Sequence, residues 1–210
     1  MEDRMNVILD LDNTIINALE EYEREKIPVE FQNRFDFKDM IGYGIRVFGR
    51  PGLQNFLDFL FENFRVSVFT AAEQEYALFI VNNFLLTKPN RSVEFILFRY
   101  HVDIAMQRYN GMKDLRLLFN VFKLPGFYPC NTVIIDDLQD VIEANPQHSI
   151  QIQSFDVARD GQLIQQSVYD NDLTRVQNIL AYLLKRYHQS PCPRQIFLGK
   201  SPEIQSPFAL

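Results

Sequence analysis

The chain has 210 residues, of which 47% are hydrophobic and 23% charged, with a formal net charge of −6. That length suits one domain with a sizeable core, and the acidic balance does not favour nucleic-acid backbone or anionic membrane as a partner. Its two cysteines, Cys130 and Cys192, form no pairable motif and lack nearby metal-ligand partners. They argue for a reducing compartment, and against a disulfide framework or a structural zinc site. No apolar run approaches the roughly 18 residues needed to span a bilayer, and "MEDRMN" does not resemble a signal peptide's charged region. The expected location is cytoplasmic or nuclear.

In chain order, "NVILDLD" (6–12) reads as a fully buried strand, because its apolar residues run on without alternating. "NALEEYEREKIP" (17–28) is rich in charge and helix formers, so a helix stopped by Pro28 is expected. "FDFKDMIGYGIRVF" sets aromatic and β-branched residues around two glycines, as in a short hairpin. In "RPGLQNFLDFLFEN", Pro51 stands near a helix start, and Leu53, Phe56, Leu57, Leu60, Phe61 and Phe64 keep amphipathic helical spacing. "FRVSVFTAA" is a short β-rich run ending at Thr70. "EQEYALFIVNNFLL" is helical, "SVEFILF" a buried strand, and "KDLRLLFNVFKL" a helix stopping near Pro125 and Gly126. "NTVIIDDLQD" repeats the opening pattern, its apolar residues ending in Asp136 and Asp137. "SIQIQSF" alternates like a half-exposed strand, and "DNDLTRVQNILAYLLKRY" is an amphipathic helix beginning near Asp170 or Asn171. The expected organisation is one domain over 1–187, with a small insert at 18–46, and a proline-rich tail at 188–210. Strands alternating with helices imply an α/β domain whose largely parallel sheet carries helices on both faces.

In such sheets, ligands bind where the carboxyl ends of neighbouring strands meet. Three strands here end at Asp10 and Asp12, at Thr70, and at Asp136 and Asp137. Residues i and i+2 of a strand share a side, so Asp10 and Asp12 face one cavity unless the chain turns between them. At roughly 4 Å and an effective dielectric near 20, each like-charge pair costs about 4 kcal/mol. Only a cation would hold such a cluster together, and an all-oxygen shell suits Mg²⁺. One carboxylate could then attack phosphorus while a second moves the proton. Thr70 and Lys113 could hold the phosphoryl oxygens. Taken singly, the same residues have plainer uses: Asp and Asn cap turns, Thr70 caps a strand end, Lys113 is solvated, and Asp136 and Asp137 cap the next helix.

The order Asp10-x-Asp12-x-Thr14, Thr70, Lys113, Asp136–Asp137 resembles the haloacid dehalogenase-like phosphotransferases. "RPGLQNFLDFL", "VFTAAEQEYA", "LFRY", "YNGMKDL" and "VIIDD" narrow the resemblance to the carboxy-terminal-domain phosphatases of RNA polymerase II and their small relatives, over roughly residues 5–187. The resemblance implies a Rossmann-like haloacid dehalogenase-like fold and a Mg²⁺-dependent protein serine phosphatase acting through an aspartyl-phosphate. Asp10 would be the nucleophile and Asp12 the general acid/base. Mg²⁺ would lie among Asp10, Asp12 through its carbonyl, Asp136 and Asp137, with Asp10 and Asp137 as its principal carboxylates. Thr70, Lys113 and Arg99 would bind the substrate phosphate. The implied partner is a phosphorylated protein or peptide, in Ser-Pro contexts, with no direct nucleic-acid or membrane partner. Asn13 stands where the family usually has Glu, Tyr100 likewise, and the insert keeps at most a short hairpin. A reduced insert favours small phosphate esters as the alternative substrate, and a partner-binding pseudophosphatase is a third reading, which the intact Asp10, Asp12, Lys113 and Asp137 oppose. Ser190-Pro191, Ser201-Pro202 and Ser206-Pro207 could let the tail mimic a substrate.

Overall fold

The computed structural model describes residues 4–159 and 162–190. The first half runs β1 (Asn6–Leu9), β2 (Ile16–Glu20), α1 (Glu21–Arg24), α2 (Val29–Gln32), β3 (Phe37–Met40), β4 (Ile45–Gly49), α3 (Leu53–Asn63), β5 (Arg65–Phe69) and α4 (Gln74–Ile80), which continues into a π-helical turn at Val81–Leu85. There follow β6 (Val93–Leu97), α5 (Arg99–Tyr109), a π-helical segment Leu117–Phe122, β7 (Thr132–Asp136), α6 (Gln139–Ala144), β8 (Ser149–Gln151), the short pair β9 (Ala158–Arg159) and β10 (Gln162–Leu163), a 3₁₀ turn at Gln165–Tyr169, and α7 (Asp172–Gln189).

Five strands form a parallel sheet in the order β6-β5-β1-β7-β8. β1 lies at its centre and is wholly buried, which explains its unbroken apolar run. Val7 and Leu9 enter one core with residues of α3, α4 and α7, while Ile8 enters the other with residues of α5, the Leu117–Phe122 segment and α6. Each such side chain contributes about 1.5–3 kcal/mol by leaving water. The helix expected at "RPGLQNFLDFLFEN" forms as α3, burying Leu53, Phe56, Leu57 and Leu60, and the amphipathic helix near residue 171 forms as α7. The strand expected at "SVEFILF" is β6, but it is half-exposed rather than buried, because it lies at the sheet edge.

Two expectations fail between the first and second motifs. Residues 17–20 are strand rather than helix: β2 pairs antiparallel with β4, from Ile16 opposite Gly49 to Glu20 opposite Ile45. Tertiary pairing overrides the weak helix preference, leaving a single turn at Glu21–Arg24, and Pro28 opens α2 instead of stopping a helix. The insert is consequently larger than a hairpin. β3 and β4 do form the hairpin expected from "FDFKDMIGYGIRVF", turning through Gly42 and Gly44 at positive φ, and β2 adds a third strand in the order β2-β4-β3. This small sheet has its own aromatic core of Phe31, Phe35, Phe48 and Phe155.

Cys130 is disulfide-bonded, which corrects the expectation against such a bond at this residue: distance along the chain says nothing of distance in space. Among the described residues no helix is long and apolar enough to cross a membrane. The tail beyond Ser190, and the substrate-mimic idea attached to it, lie outside the described residues.

Candidate active site

β1 ends at Leu9, and the N–H of Asp10 still donates to the Ile135 carbonyl of β7 at 3.0 Å. This extends the ladder to the edge of the sheet and delivers the Asp10 carboxylate beside Asp136. The chain then turns sharply. Ile15 N–H donates to Leu11 O at 2.9 Å, and Asn13 takes a left-handed φ of 58°, a region where Asn is several-fold enriched among non-glycine residues. Because of that turn, Asp10 and Asp12 have different partners. Lys113 Nζ donates to Asp10 Oδ1 at 2.5 Å and to Asp136 Oδ2 at 2.7 Å, and Thr14 Oγ1 donates to Asp10 Oδ2 at 3.1 Å. Asp12 Oδ1 instead accepts the Tyr76 hydroxyl at 2.6 Å.

Lys113 is only 1% exposed and has a left-handed backbone, φ 51°, an uncommon conformation for a side chain of its kind. Buried Asn145 holds it there, donating to Lys113 O at 3.2 Å and accepting the Leu115 N–H at 2.9 Å. Burial works against the ammonium charge, but the fields and hydrogen bonds of Asp10 and Asp136 outweigh it and raise the Lys113 pKa. It stays a cation. The chain thus spends a cation-holding pocket on this lysine, and the solvated-lysine alternative is removed.

One lysine is not enough for the carboxylates around it. Oxygens of Asp10, Asp136 and Asp137 lie within 4.8 Å of one another. With all three ionised and Lys113 protonated, two negative charges remain uncompensated. Burial, then repulsion by Asp10, pushes both Asp136 and Asp137 upward in pKa. Asp12 is raised to about 6, chiefly by burial, against the lowering effect of the Tyr76 bond. The cluster fits a hard divalent cation in charge and in donor chemistry. Asp10 and Asp137 are the better ligands, since Asp136 already accepts Lys113 on Oδ2 and the Leu138 N–H on Oδ1. The Asp12 side chain is turned to Tyr76 and lies outside the three-carboxylate group.

Thr70 is buried at the end of β5, its N–H donating to Leu97 O at 2.9 Å. Its Oγ accepts the Ala72 N–H at 3.1 Å, so it does cap the strand end, and the hydroxyl proton can still be donated. Arg99, the first residue of α5, is exposed and pairs with Glu73 at 3.2 Å. The structure therefore gathers buried Asp10, Lys113 and Asp136 with partly buried Asp137 into one group, adds Asp12 through Tyr76, and leaves Arg99 on the rim.

Two contributors, Tyr76 and Arg50, were not singled out from the sequence, and Asn13 stood out only as a departure from the family pattern. Tyr76 reads as one more apolar position of a helix, with nothing to separate it from a core tyrosine. Arg50 donates from Nη1 to Thr14 O at 2.8 Å and forks onto Asp170 at 2.7 and 2.8 Å, bracing the turn after the aspartates from α7's side. Asn13 donates to Asp156 Oδ1 at 2.6 Å and to Phe155 O at 3.2 Å, and accepts the Phe155 N–H at 2.7 Å. It clamps the same turn to the 153–157 segment.

The family model described as NLI interacting factor-like phosphatase matches residues 5–188. The CTD phosphatase-like protein 355R of Invertebrate iridescent virus 6 is 38% identical over 182 residues, covering 83% of this chain and 96% of that protein. CTD small phosphatase-like protein 2 of Dictyostelium discoideum is 26% identical over 191 residues, covering 88% of this chain and 30% of that protein. The structure of Fcp1, an essential RNA polymerase II CTD phosphatase, superposes with a TM-score of 0.66 at 19% identity, covering 89% of this chain and 64% of that one. The fold is haloacid dehalogenase-like. With its site at the carboxyl ends of β1, β5 and β7, the chain belongs to the NLI interacting factor-like phosphatases.

Proposed function

We propose that this phosphatase is a Mg²⁺-dependent protein serine phosphatase that works through an aspartyl-phosphate on Asp10. The observation that carries the reading is the placing of Asp10: one carboxylate oxygen is fixed by Lys113 at 2.5 Å, and the other lies beside Thr14 in the three-carboxylate group. A nucleophile needs such aiming, and a phosphoryl group needs cationic partners for its developing charge.

Asp10 and Asp137 would hold the cation, with the Asp12 carbonyl as the family resemblance implies; when bound, it would neutralise the cluster and polarise the phosphoryl oxygens. An Asp10 oxygen attacks phosphorus, and the P–O bond to the seryl oxygen breaks. Asp12 gives its proton to that oxygen, then takes one from the water that hydrolyses the acyl phosphate and frees Asp10. Lys113 and the Thr70 hydroxyl donate to the phosphoryl oxygens. A peptide is favoured over a small ester by the three-stranded insert, whose hairpin tip exposes Ile41 and Tyr43.

Turnover of p-nitrophenyl phosphate and of a Ser-Pro phosphopeptide should require Mg²⁺ and stop with chelator. Activity unaffected by chelator would refute the metal-dependent reading, and a lack of preference for the peptide would return the small-ester alternative.

Asp12 must be protonated to act as an acid, and its pKa is about 6. With an alkyl phosphate, a poor leaving group, kcat should therefore fall as pH rises above about 6, whereas p-nitrophenyl phosphate should be less sensitive. The Tyr76 hydroxyl lowers Asp12, so Tyr76→Phe should move the alkaline limb to higher pH. Loss of orientation should also reduce kcat about tenfold, part of what a general acid contributes. A profile that does not differ between wild type and Tyr76→Phe would separate Asp12 from the proton transfer.

A further inference from the structure

The rim beside Thr70 carries a charge arrangement that the chemistry above does not use. α4 begins there, with Glu73 at its cap and Glu75 in its first turn, and both are exposed. Two tethers fix their place at the mouth. Ala72 N–H bonds Thr70 Oγ at 3.1 Å, and Tyr76, the next residue after Glu75, reaches Asp12 at 2.6 Å. The Arg99 N–H also donates to Ala72 O at 2.9 Å, which brings the start of α5 alongside. From this position the Arg99 guanidinium pairs with Glu73 at 3.2 Å. Tyr43 of the β3–β4 hairpin lies close enough to Glu75 for that carboxylate to raise its pKa.

We propose that Glu73 is a specificity-determining residue: it occupies Arg99 in the free enzyme, is exchanged for the substrate phosphate, and then, with Glu75, receives a cationic side chain next to the phosphoserine. The inference rests on the phosphatase reading above and names the substrate class within it, a phosphoserine peptide with Lys or Arg flanking the phosphate. The exchange is physically easy. Both partners of the Glu73–Arg99 pair are largely exposed, at 77% and 56% of the side chain, and such pairs are weak and screened by salt. A dianionic phosphate offers Arg99 more charge and more acceptors than one carboxylate. Once released, Glu73 has no other ion-pair partner among the described residues, and Glu75 has none there, its neighbour Tyr43 being neutral. A basic substrate residue supplies that charge. An acidic neighbour or a second phosphate would meet two carboxylates at the mouth and be repelled.

The test compares wild type, Glu73→Gln and Glu73→Gln/Glu75→Gln on phosphoserine peptides matched except for Lys, Gln or Glu beside the phosphoserine, with p-nitrophenyl phosphate as an uncharged-flank control. Wild type should prefer the Lys over the Glu peptide in kcat/KM by about fivefold or more, a range set by exposed charge pairs. The preference should shrink in Glu73→Gln, nearly vanish in the double variant, and weaken with added salt. On p-nitrophenyl phosphate, Glu73→Gln should lower KM with kcat unchanged, because Arg99 no longer has a competitor. Equal kcat/KM for the Lys and Glu peptides in wild type, or a preference that survives both substitutions, would overturn the proposal while leaving the phosphatase reading intact. Turnover of p-nitrophenyl phosphate but of no peptide would overturn it too. Absence of turnover on every substrate would remove the phosphatase reading on which it rests.

Discussion

Asp10→Asn is expected to abolish turnover, by about 10⁴-fold or more, while leaving the fold at least as stable as wild type. The loss of rate follows from removing the proposed nucleophile, whose deletion in covalent catalysis costs on this scale. The stability follows from the charge count around Lys113. Asp10 is one of three carboxylates whose oxygens lie within 4.8 Å of one another, against one ammonium. An amide at position 10 removes repulsion felt by Asp136 and Asp137, both of which Asp10 pushes upward in pKa, and Lys113 keeps Asp136 at 2.7 Å. Thermal melts in chelator should therefore show an unchanged or higher midpoint for Asp10→Asn. Mg²⁺ should stabilise wild type by mass action and stabilise the variant much less. A variant that melts well below wild type in chelator would mean that Asp10 supports the fold, which the geometry does not predict.

The largest expected loss of stability lies away from the chemistry, at Asp170. Its carboxylate forks onto Arg50, whose side chain is 0% exposed and also donates to Thr14 O at 2.8 Å. Removing one partner of a buried pair leaves an uncompensated charge, at about 3–5 kcal/mol. Asp170→Ala should cost that much in denaturant unfolding, and should reduce activity as well, since Arg50 braces the turn that carries Asp12 and Thr14. Arg50→Met with Asp170→Ala should recover most of the stability, short of about 1–3 kcal/mol for the Thr14 carbonyl left without its donor. A double variant no more stable than Asp170→Ala alone would contradict the stranded-charge explanation.

What could be read from the sequence depended on whether a residue's role is local. β1 and β7 were legible because burial on both sheet faces leaves apolar runs that end at Asp10 and Asp136, and β5 because its short β-rich run ends at Thr70. α3 and α7 were legible from amphipathic spacing. Residues 17–20 were misread, since β2 owes its form to pairing with β4 some thirty positions away, while its own composition resembles the helix that follows. β6 was found but its burial overstated, because an apolar run does not say whether a strand is central or at an edge. The same limit holds at the site. Asp10, Lys113, Asp136 and Asp137 were found by position at strand ends and by family resemblance. Tyr76, Asn13 and Arg50 act through partners 64, 143 and 120 residues distant, and no local pattern encodes such a bond. Asn13 is instructive: it departs from the family pattern, and its left-handed backbone and its bonds to Asp156 and Phe155 make it a clamp.

On the proposed mechanism, Asp10 itself becomes phosphorylated. The most direct measurement is a single turnover with Mg²⁺ and excess enzyme, quenched in acid and reduced with borohydride, which converts an aspartyl-phosphate to homoserine, followed by peptide mass analysis. The structure predicts homoserine at position 10 in wild type, dependent on substrate and absent in Asp10→Asn. Full turnover with no modification at Asp10, or with modification at Asp12, Asp136 or Asp137 instead, would contradict it.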